Sequence, residues 1–485
     1  MSTPNTHFGP SAICSMLSDC RAIYFIGIGG ISMSSLAVLT LKKGWRVGGF
    51  DRTPTAVTER LAAAGIPVDT EASSRNLDGY DAVVYTVAIP ESQPEYAEAR
   101  RRGLPLISRA DYMGYLMMDY RMRIGVAGTH GKSTTTCMCA RIFMGAGMDP
   151  TVLAGASMKE MGGAFRAGGQ EHLIFEACEY MDSFLDFRPT VAVLLNAEMD
   201  HVDYFHSMEQ LRASFRAYAS LVGREGCVIA NGDDAELSAA LRDMSGPTLI
   251  TFGCQDPKAD YRAENIRLIG GYPSFTVWER ERRLFAVTLS VPGLHNVYNA
   301  LAAVAVARQA GLCSRTIAAG LEQFGGAGRR MERKGKLCGA TVYDDYGHHP
   351  TEVRTTLAGA RALDGNRLIC LFQPHTYSRT AALFGDYVSA LRLADQALIL
   401  PVYAARETDT LGISAEILAS AIGENARACA SLEEAAGLLP KLVRDGDTVV
   451  IMGAGNVDRI YPLLPLRPFG ENDGVKGQNH GKEQS

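Results

Sequence analysis

The chain has no apolar run of the roughly 18 residues that a membrane-crossing helix needs. Its first twenty residues carry neither the basic start nor the apolar core of a signal peptide. It lacks Cys-x-x-Cys pairs of zinc-site spacing, and its eleven cysteines are an odd, scattered set in a chain of 485 residues. That pattern excludes a disulfide framework and predicts reduced thiols. It also lacks a basic excess: 48 Lys and Arg stand against 53 Asp and Glu, a formal net charge of −5. A nucleic-acid binder held by phosphate neutralisation is therefore excluded, and anionic ligands must be met by local sites. The expectation is a soluble cytoplasmic protein with no membrane insertion and no nucleic-acid partner.

The length exceeds what one core accommodates, and no short-period repeat divides it. Instead, the chain restarts twice on an apolar strand followed by a turn. The first unit opens with Ala22 to Ile26, then Gly27-Ile-Gly29-Gly30-Ile-Ser32-Met-Ser34, a helix over 36–43, a strand over 45–50 and Asp51. Runs at 82–85 and 104–107 continue the alternation of a parallel doubly wound sheet. A second unit starts at Arg123, with strands predicted at 124–127, 173–175, 191–195 and 227–230 and a helix over 133–145. Alternating segments with Gly and Pro turns over 260–291 predict an antiparallel patch, and a long helix begins near Asn296. The third unit starts around Arg329, with strands at 340–343, 368–372, 397–400 and 449–452 and a helix opened by Pro350. The boundaries read 1–120, 121–328 and 329–467, and the polar, Gly-rich residues 468–485 form a disordered tail.

The chemistry concentrates on the strand-to-helix turn Gly128-Thr129-His130-Gly131-Lys132-Ser133-Thr134. Such a turn aims backbone N–H groups at one anion, a lysine adds a point charge for terminal phosphates, and a Ser hydroxyl suits Mg²⁺. The full Walker pattern is absent, because Val126 stands where its first glycine belongs. Carboxylates follow two predicted strands, Glu176 and Glu179 at the end of one, Glu198 and Asp200 after the other, where the imidazole of His201 joins them. Carboxylates after buried strands need something positive to meet them, and a hard cation would do so. The alternative is a solvated loop with capping aspartates.

Taken together, these strings resemble the Mur ligases of peptidoglycan synthesis. The resemblance spans residues 21–465 and includes Pro292-Gly-Leu-His-Asn296-Val-Tyr-Asn299-Ala, Gly328-Arg-Arg330-Met-Glu, Asp344-Asp345-Tyr-Gly-His348-His-Pro-Thr-Glu and Gln373-Pro-His375-Thr-Tyr377-Ser-Arg379-Thr. It implies a three-domain α/β fold: a Rossmann-like UDP-sugar-binding domain, a P-loop ATPase-like central domain with a parallel sheet plus a small antiparallel one, and a Rossmann-like C-terminal domain that closes over ATP. The implied reaction joins L-alanine to the lactyl carboxylate of UDP-N-acetylmuramate through an acyl phosphate, with ATP as co-substrate and Mg²⁺ or Mn²⁺ as cofactor. Addition of a whole tripeptide is the alternative within the family.

Carried over residue by residue, the resemblance assigns Gly27, Gly29, Gly30, Ser32 and Asp51 to the UDP-sugar. It assigns Gly128 to Thr134, Asn296, Asn299, Arg330 and Asp344 or Asp345 to ATP. Ser133, Glu176 and His201 hold metal, with Glu179 as a further candidate, and Lys132, Glu176 and His201 are the catalytic set. His348, His375, Tyr377 and Arg379 line the amino-acid pocket, where Arg379 suits a carboxylate. The chain departs from several sister ligases, which place a carbamoylated lysine after the metal histidine, because Arg212-Ala-Ser-Phe-Arg216 holds none. An NAD(P) oxidoreductase, resting on Gly27 to Ser34 and Asp51, and a P-loop phosphotransferase are the rivals from other classes.

Overall fold

A computed structural model describes residues 3–470, apart from 203, 364, 406 and 410, so residues 471–485 of the expected tail lie outside the described residues. The first sheet holds β1 (Ala22–Ile26), β2 (Arg46–Phe50), β3 (Val68–Asp69), β4 (Ala82–Tyr85) and β5 (Leu106–Ser108). All are parallel, in the order β3-β2-β1-β4-β5. β1 and β4 are buried throughout, which is why they read as unbroken apolar runs. The helix that follows β1 is Ile31–Lys42, starting earlier than its apolar stripe suggests because Ser32, Ser34 and Ser35 fill its first turn.

The second sheet has ten strands. β6 (Met122–Ala127), β7 (Thr151–Met158), β8 (Gly163–Arg166), β9 (His172–Glu176), β10 (Val191–Leu194), β11 (Cys227–Asn231), β12 (Thr248–Gly253), β13 (Tyr261–Ile269), β14 (Tyr272–Glu279) and β15 (Arg282–Thr288) take the order β15-β14-β13-β12-β11-β10-β6-β9-β7-β8. β6 and β9 to β12 pair in parallel, and β13 to β15 form the expected antiparallel patch. Two helices cover one face, Lys132–Gly145 and His295–Gln309, and Ala300 to Ala307 of the latter are fully buried.

The third sheet is β16 (Glu332–Leu337), β17 (Ala340–Asp345), β18 (Leu368–Phe372), β19 (Gln396–Ile399), β20 (Ala426–Ala428) and β21 (Thr448–Met452), ordered β16-β17-β21-β18-β19-β20. Only β16 runs antiparallel. The helix opened by Pro350 spans Pro350–Arg361, with His349 at its N-cap and Glu352 closing a capping box. No helix among the described residues is long and apolar enough to cross a membrane. All eleven cysteines are free.

Candidate active site

β6 delivers the chain from a buried strand into the turn Gly128–Gly131, and Lys132 begins the next helix. Gly131 has φ +84°, and a Cβ there would stand 2.5 Å from Asn299 Oδ1, so the turn packs against the helix His295–Gln309 only because the residue is glycine. Lys132 Nζ donates to Glu179 Oε2 at 3.0 Å, and Glu179 is 2% exposed. Burial alone would lower the ammonium's pKa, but the Glu179 charge overrides it and raises the value. Ser133 Oγ donates to Glu176 Oε2 at 2.8 Å, and the same oxygen accepts the Gly155 amide at 2.8 Å. His201 has φ +50°, packs on the Tyr180 ring at 4.5 Å and brings Nε2 to 3.9 Å from Glu179 Oε1. The structure thus gathers Lys132, Ser133, Glu176, Glu179 and His201 at the carboxyl ends of β6, β9 and β10.

One cavity lies beside the phosphate loop, and another opens onto Ser133 and Glu176 of this cluster. The first, of about 340 Å³, lies between the second and third units and is lined by His130, Gly131, Thr134, Asn296, Asn299 and Asp345, among others. Asn299 donates to Asn296 Oδ1 at 2.9 Å, and Asn296 donates to the Pro292 carbonyl at 2.7 Å, which fixes both amides. The alternation along β17 separates Asp344 from Asp345. Asp345 lines the cavity, its pKa pushed up to about 6 by burial, while Asp344 turns to Arg329 Nε at 3.4 Å. The second cavity, about 640 Å³, lies where all three units meet, lined by Ile31 and Ser34 of the first, Ser133 and Glu176 of the second, and Arg330 and Tyr346 of the third. Arg330 lines both cavities.

The third unit touches the phosphate loop through contacts that strand and helix patterns do not reveal. His130 Nε2 bonds Glu198 Oε2 at 2.9 Å, and its Nδ1 lies 3.2 Å from Glu352 Oε1. Thr351 Oγ1 donates to Glu198 Oε1 at 2.5 Å, and His349 Nε2 bonds the Met199 carbonyl at 3.2 Å. Burial would lower the His130 pKa; its bonds to Glu198 and Glu352 lift it to about 9. A histidine raised in this way stabilises the fold fully below its ordinary 6.5, and the contribution is lost as pH rises through about 9. His130→Ala should therefore flatten the decline in urea-unfolding stability between those pH values, a decline on the order of 3 kcal/mol at most.

Arg379 sits beside this junction, 7% exposed, donating to Asp200 Oδ1 from Nη2 at 2.7 Å and Nε at 2.9 Å. Its Nη1 meets His375 Nδ1 at 3.2 Å, and His375 and His348 have ring centroids 5.7 Å apart. Burial pushes His348 down to about 4 and His375 below its ordinary value. Tyr377 opens the short helix Tyr377–Ala382 that carries Arg379.

At the carboxyl edge of the first sheet, Gly27 has φ +82° and bonds back to the Phe50 carbonyl at 2.8 Å. Gly29 N donates to Asp51 Oδ2 at 2.9 Å, Gly30 caps the helix Ile31–Lys42, and Ser32 lies in its first turn. Arg212 and Arg216 are engaged elsewhere, Arg212 with Glu236 at 2.9 Å and Arg216 with the Ala240 carbonyl at 3.0 Å. Glu198 and Asp200, read from the sequence only as strand-end carboxylates that a cation could meet, instead bond His130 and Arg379, and the site members given no role were His349, Thr351 and Glu352. The only sequence signal was their place beside motif residues.

Comparison with known proteins matches this arrangement along its length. Residues 22–121 match the Mur ligase family catalytic domain model, residues 126–307 the Mur ligase middle domain, and residues 329–455 the Mur ligase glutamate ligase domain. The chain is 41% identical over 447 residues to UDP-N-acetylmuramate–L-alanine ligase of Clostridium novyi, covering 92% of this chain and 97% of that one. It is 44% identical over 443 residues to the ligase of the same name from Agathobacter rectalis, covering 90% and 96%. Among solved structures, UDP-N-acetylmuramate–alanine ligase from Thermotoga maritima superposes with TM-score 0.76 at 27% identity, covering 90% of this chain and 97% of that one. A murein peptide ligase from Psychrobacter arcticus gives TM-score 0.69 at 26% identity, covering 93% and 100%.

Proposed function

The chain belongs to the Mur ligase family, and from that premise we infer its reaction: ATP-dependent joining of L-alanine to the lactyl carboxylate of UDP-N-acetylmuramate, the first peptide-bond step of peptidoglycan precursor synthesis. The observation that carries this reading is the Ser133–Glu176 pair, set beside a phosphate loop and lining the cavity where the three units meet, with Arg330 bordering both cavities. ATP in the smaller cavity and the UDP-sugar reaching into the larger would bring the γ-phosphoryl group and the lactyl carboxylate to one place.

A buried hydroxyl, a half-buried and a buried carboxylate form a donor set that suits a hard divalent cation, so Ser133 and Glu176, with His201 and Glu179, would hold Mg²⁺ or Mn²⁺. Such an ion spreads charge on a transferring phosphoryl group. The chain's own contribution is the Lys132 ammonium and the uncapped amides at the start of the helix Lys132–Gly145, which would hold the γ-phosphate in line with the carboxylate. The carboxylate oxygen takes the phosphoryl group and ADP is released, leaving an acyl phosphate. Arg379 would hold the carboxylate of alanine so that its neutral amine attacks the acyl carbon. The tetrahedral intermediate then expels inorganic phosphate, and the amide forms with loss of a proton. The contacts of Thr351, His349 and Glu352 with the second unit would shield the acyl phosphate from water.

A phosphate-release assay with UDP-N-acetylmuramate tests the reading, offering L-alanine, glycine, L-serine and a tripeptide in turn. L-Alanine is expected to give the highest kcat/KM. Release that no amino acid stimulates would exclude the ligase, and preference for the tripeptide would move the chain to the recycling reaction.

A further inference from the structure

The first turn of the helix Ile31–Lys42 is short of partners. Its N-cap is Gly30, which offers no side chain to the free amides. Ser34 and Ser35 turn back onto the Ile31 carbonyl, at 2.9 and 2.8 Å, and so do not serve them. The loop before the helix is no better placed to hold an anion by itself, because Asp51 already takes the Gly29 amide and brings a carboxylate close to it.

Arg109 supplies the missing charge. It follows β5 directly and opens the helix Arg109–Leu116, so it leaves the carboxyl edge of the same sheet. Its Nη1 donates to Ser32 Oγ at 3.1 Å. Since β4 lies between β5 and β1, this contact carries the guanidinium across the carboxyl end of β4 to the first turn of the helix after β1. The order β3-β2-β1-β4-β5 makes the gap between β1 and β4 the switch point, the place outside the strand ends where open parallel sheets bind their ligands. Among the described residues Arg109 has no ion pair. It is deep enough for burial to push its pKa down. The Asp186 carboxylate acts on it only from a distance and does not cancel the cost of burial, and an anionic ligand at the strand ends would offset the remainder.

We propose that Arg109, oriented by Ser32, is the cation that receives the diphosphate of the UDP-sugar. The proposal rests on the UDP-sugar reading above and adds to it a residue from the far edge of the first sheet. A guanidinium matches two phosphate oxygens in a way that a loop amide cannot, so it fixes where the diphosphate sits and therefore how far the lactyl group projects toward Glu176.

Calorimetric titration of the full chain with uridine, UDP, UDP-N-acetylmuramate and ATP tests this. Arg109→Gln should weaken UDP and UDP-N-acetylmuramate by roughly tenfold to a hundredfold and leave uridine and ATP within about twofold. Ser32→Ala, which removes only the orienting hydroxyl, should weaken UDP by a few fold, and Arg109→Lys should recover part of the loss. Unchanged UDP affinity in Arg109→Gln overturns the proposal. Loss confined to UDP-N-acetylmuramate, with UDP unaffected, also overturns it and hands the cation to the lactyl carboxylate. Equal losses for ATP and UDP, with a lowered melting temperature, would make Arg109 a structural support and overturn it too. If the parent chain itself binds no UDP-N-acetylmuramate, the functional reading has failed, which is a different result from a parent that binds and a variant that binds equally well.

Discussion

Lys132→Ala lowers kcat by at least about a thousandfold and leaves UDP-N-acetylmuramate affinity within about twofold of the parent. The size follows from where the ammonium sits. It is half-buried, held against Glu179 at 3.0 Å, and stands at the start of the helix that follows the phosphate loop. Removing it takes away a fixed positive charge at the point where negative charge moves from ATP to the carboxylate, in a site shielded from water. It also leaves Glu179 buried without its cation, so some loss of stability accompanies the loss of rate. Lys132→Arg and a melting curve separate the two effects. A variant that is fully folded, binds UDP-N-acetylmuramate and still turns over at a tenth of the parental rate would show that the phosphate loop is not the activating centre.

Arg379→Ala raises the KM for L-alanine by at least about a hundredfold with little change in the KM for ATP. The same change costs the fold about 3–5 kcal/mol, because it strands the buried Asp200 carboxylate. In the folded chain burial would raise the Asp200 pKa, but the Arg379 charge holds it well below the carboxylate range. The stability contributed by this pair is therefore present above the ordinary carboxylate pKa and is lost only in strong acid. Asp200→Asn separates stability from binding: it keeps a hydrogen-bond acceptor for Arg379 while removing the charge, so alanine KM should rise by less than in Arg379→Ala. If Asp200→Asn and Arg379→Ala alter stability alone and leave alanine KM unchanged, Arg379 is a structural partner of the second unit and the amino acid binds elsewhere.

The sequence displayed most of this fold because its central strands are buried on both faces. β1, β4, β10 and β18 are unbroken apolar runs, and β21 is one after its first residue, Thr448. The sequence concealed the short strands β3, β8 and β20 as well as β12, and two others whose pattern has a physical reason. β16 reads Glu-Arg-Lys-Gly-Lys-Leu, an antiparallel edge with no apolar face to announce it. β7 carries Gly155, whose amide bonds Glu176 and whose Cβ would meet that carboxylate at 2.5 Å, so closeness to the site breaks the strand pattern. The phosphate loop, its acidic neighbours and the asparagines of the long helix were legible as motif letters. The junction between units was not. Thr351 and Glu198 are 153 positions apart, and Arg379 and Asp200 are 179 apart. Glu352 shows only its local duty in the sequence, closing the capping box of its helix, whereas the fold also aims it at His130 and Arg330.

Transfer of the γ-phosphoryl group to the lactyl carboxylate, before the amine attacks, is the central claim, and an isotope tracing tests it most directly. UDP-N-acetylmuramate bearing heavy oxygen in its lactyl carboxylate is turned over with ATP and L-alanine, and the inorganic phosphate is analysed by mass. One labelled oxygen should appear in phosphate for each amide formed, because the oxygen that accepts the phosphoryl group leaves with it. Amide formation with no label in phosphate would contradict an acyl phosphate, and with it the part that Lys132, Ser133 and Glu176 play in forming one.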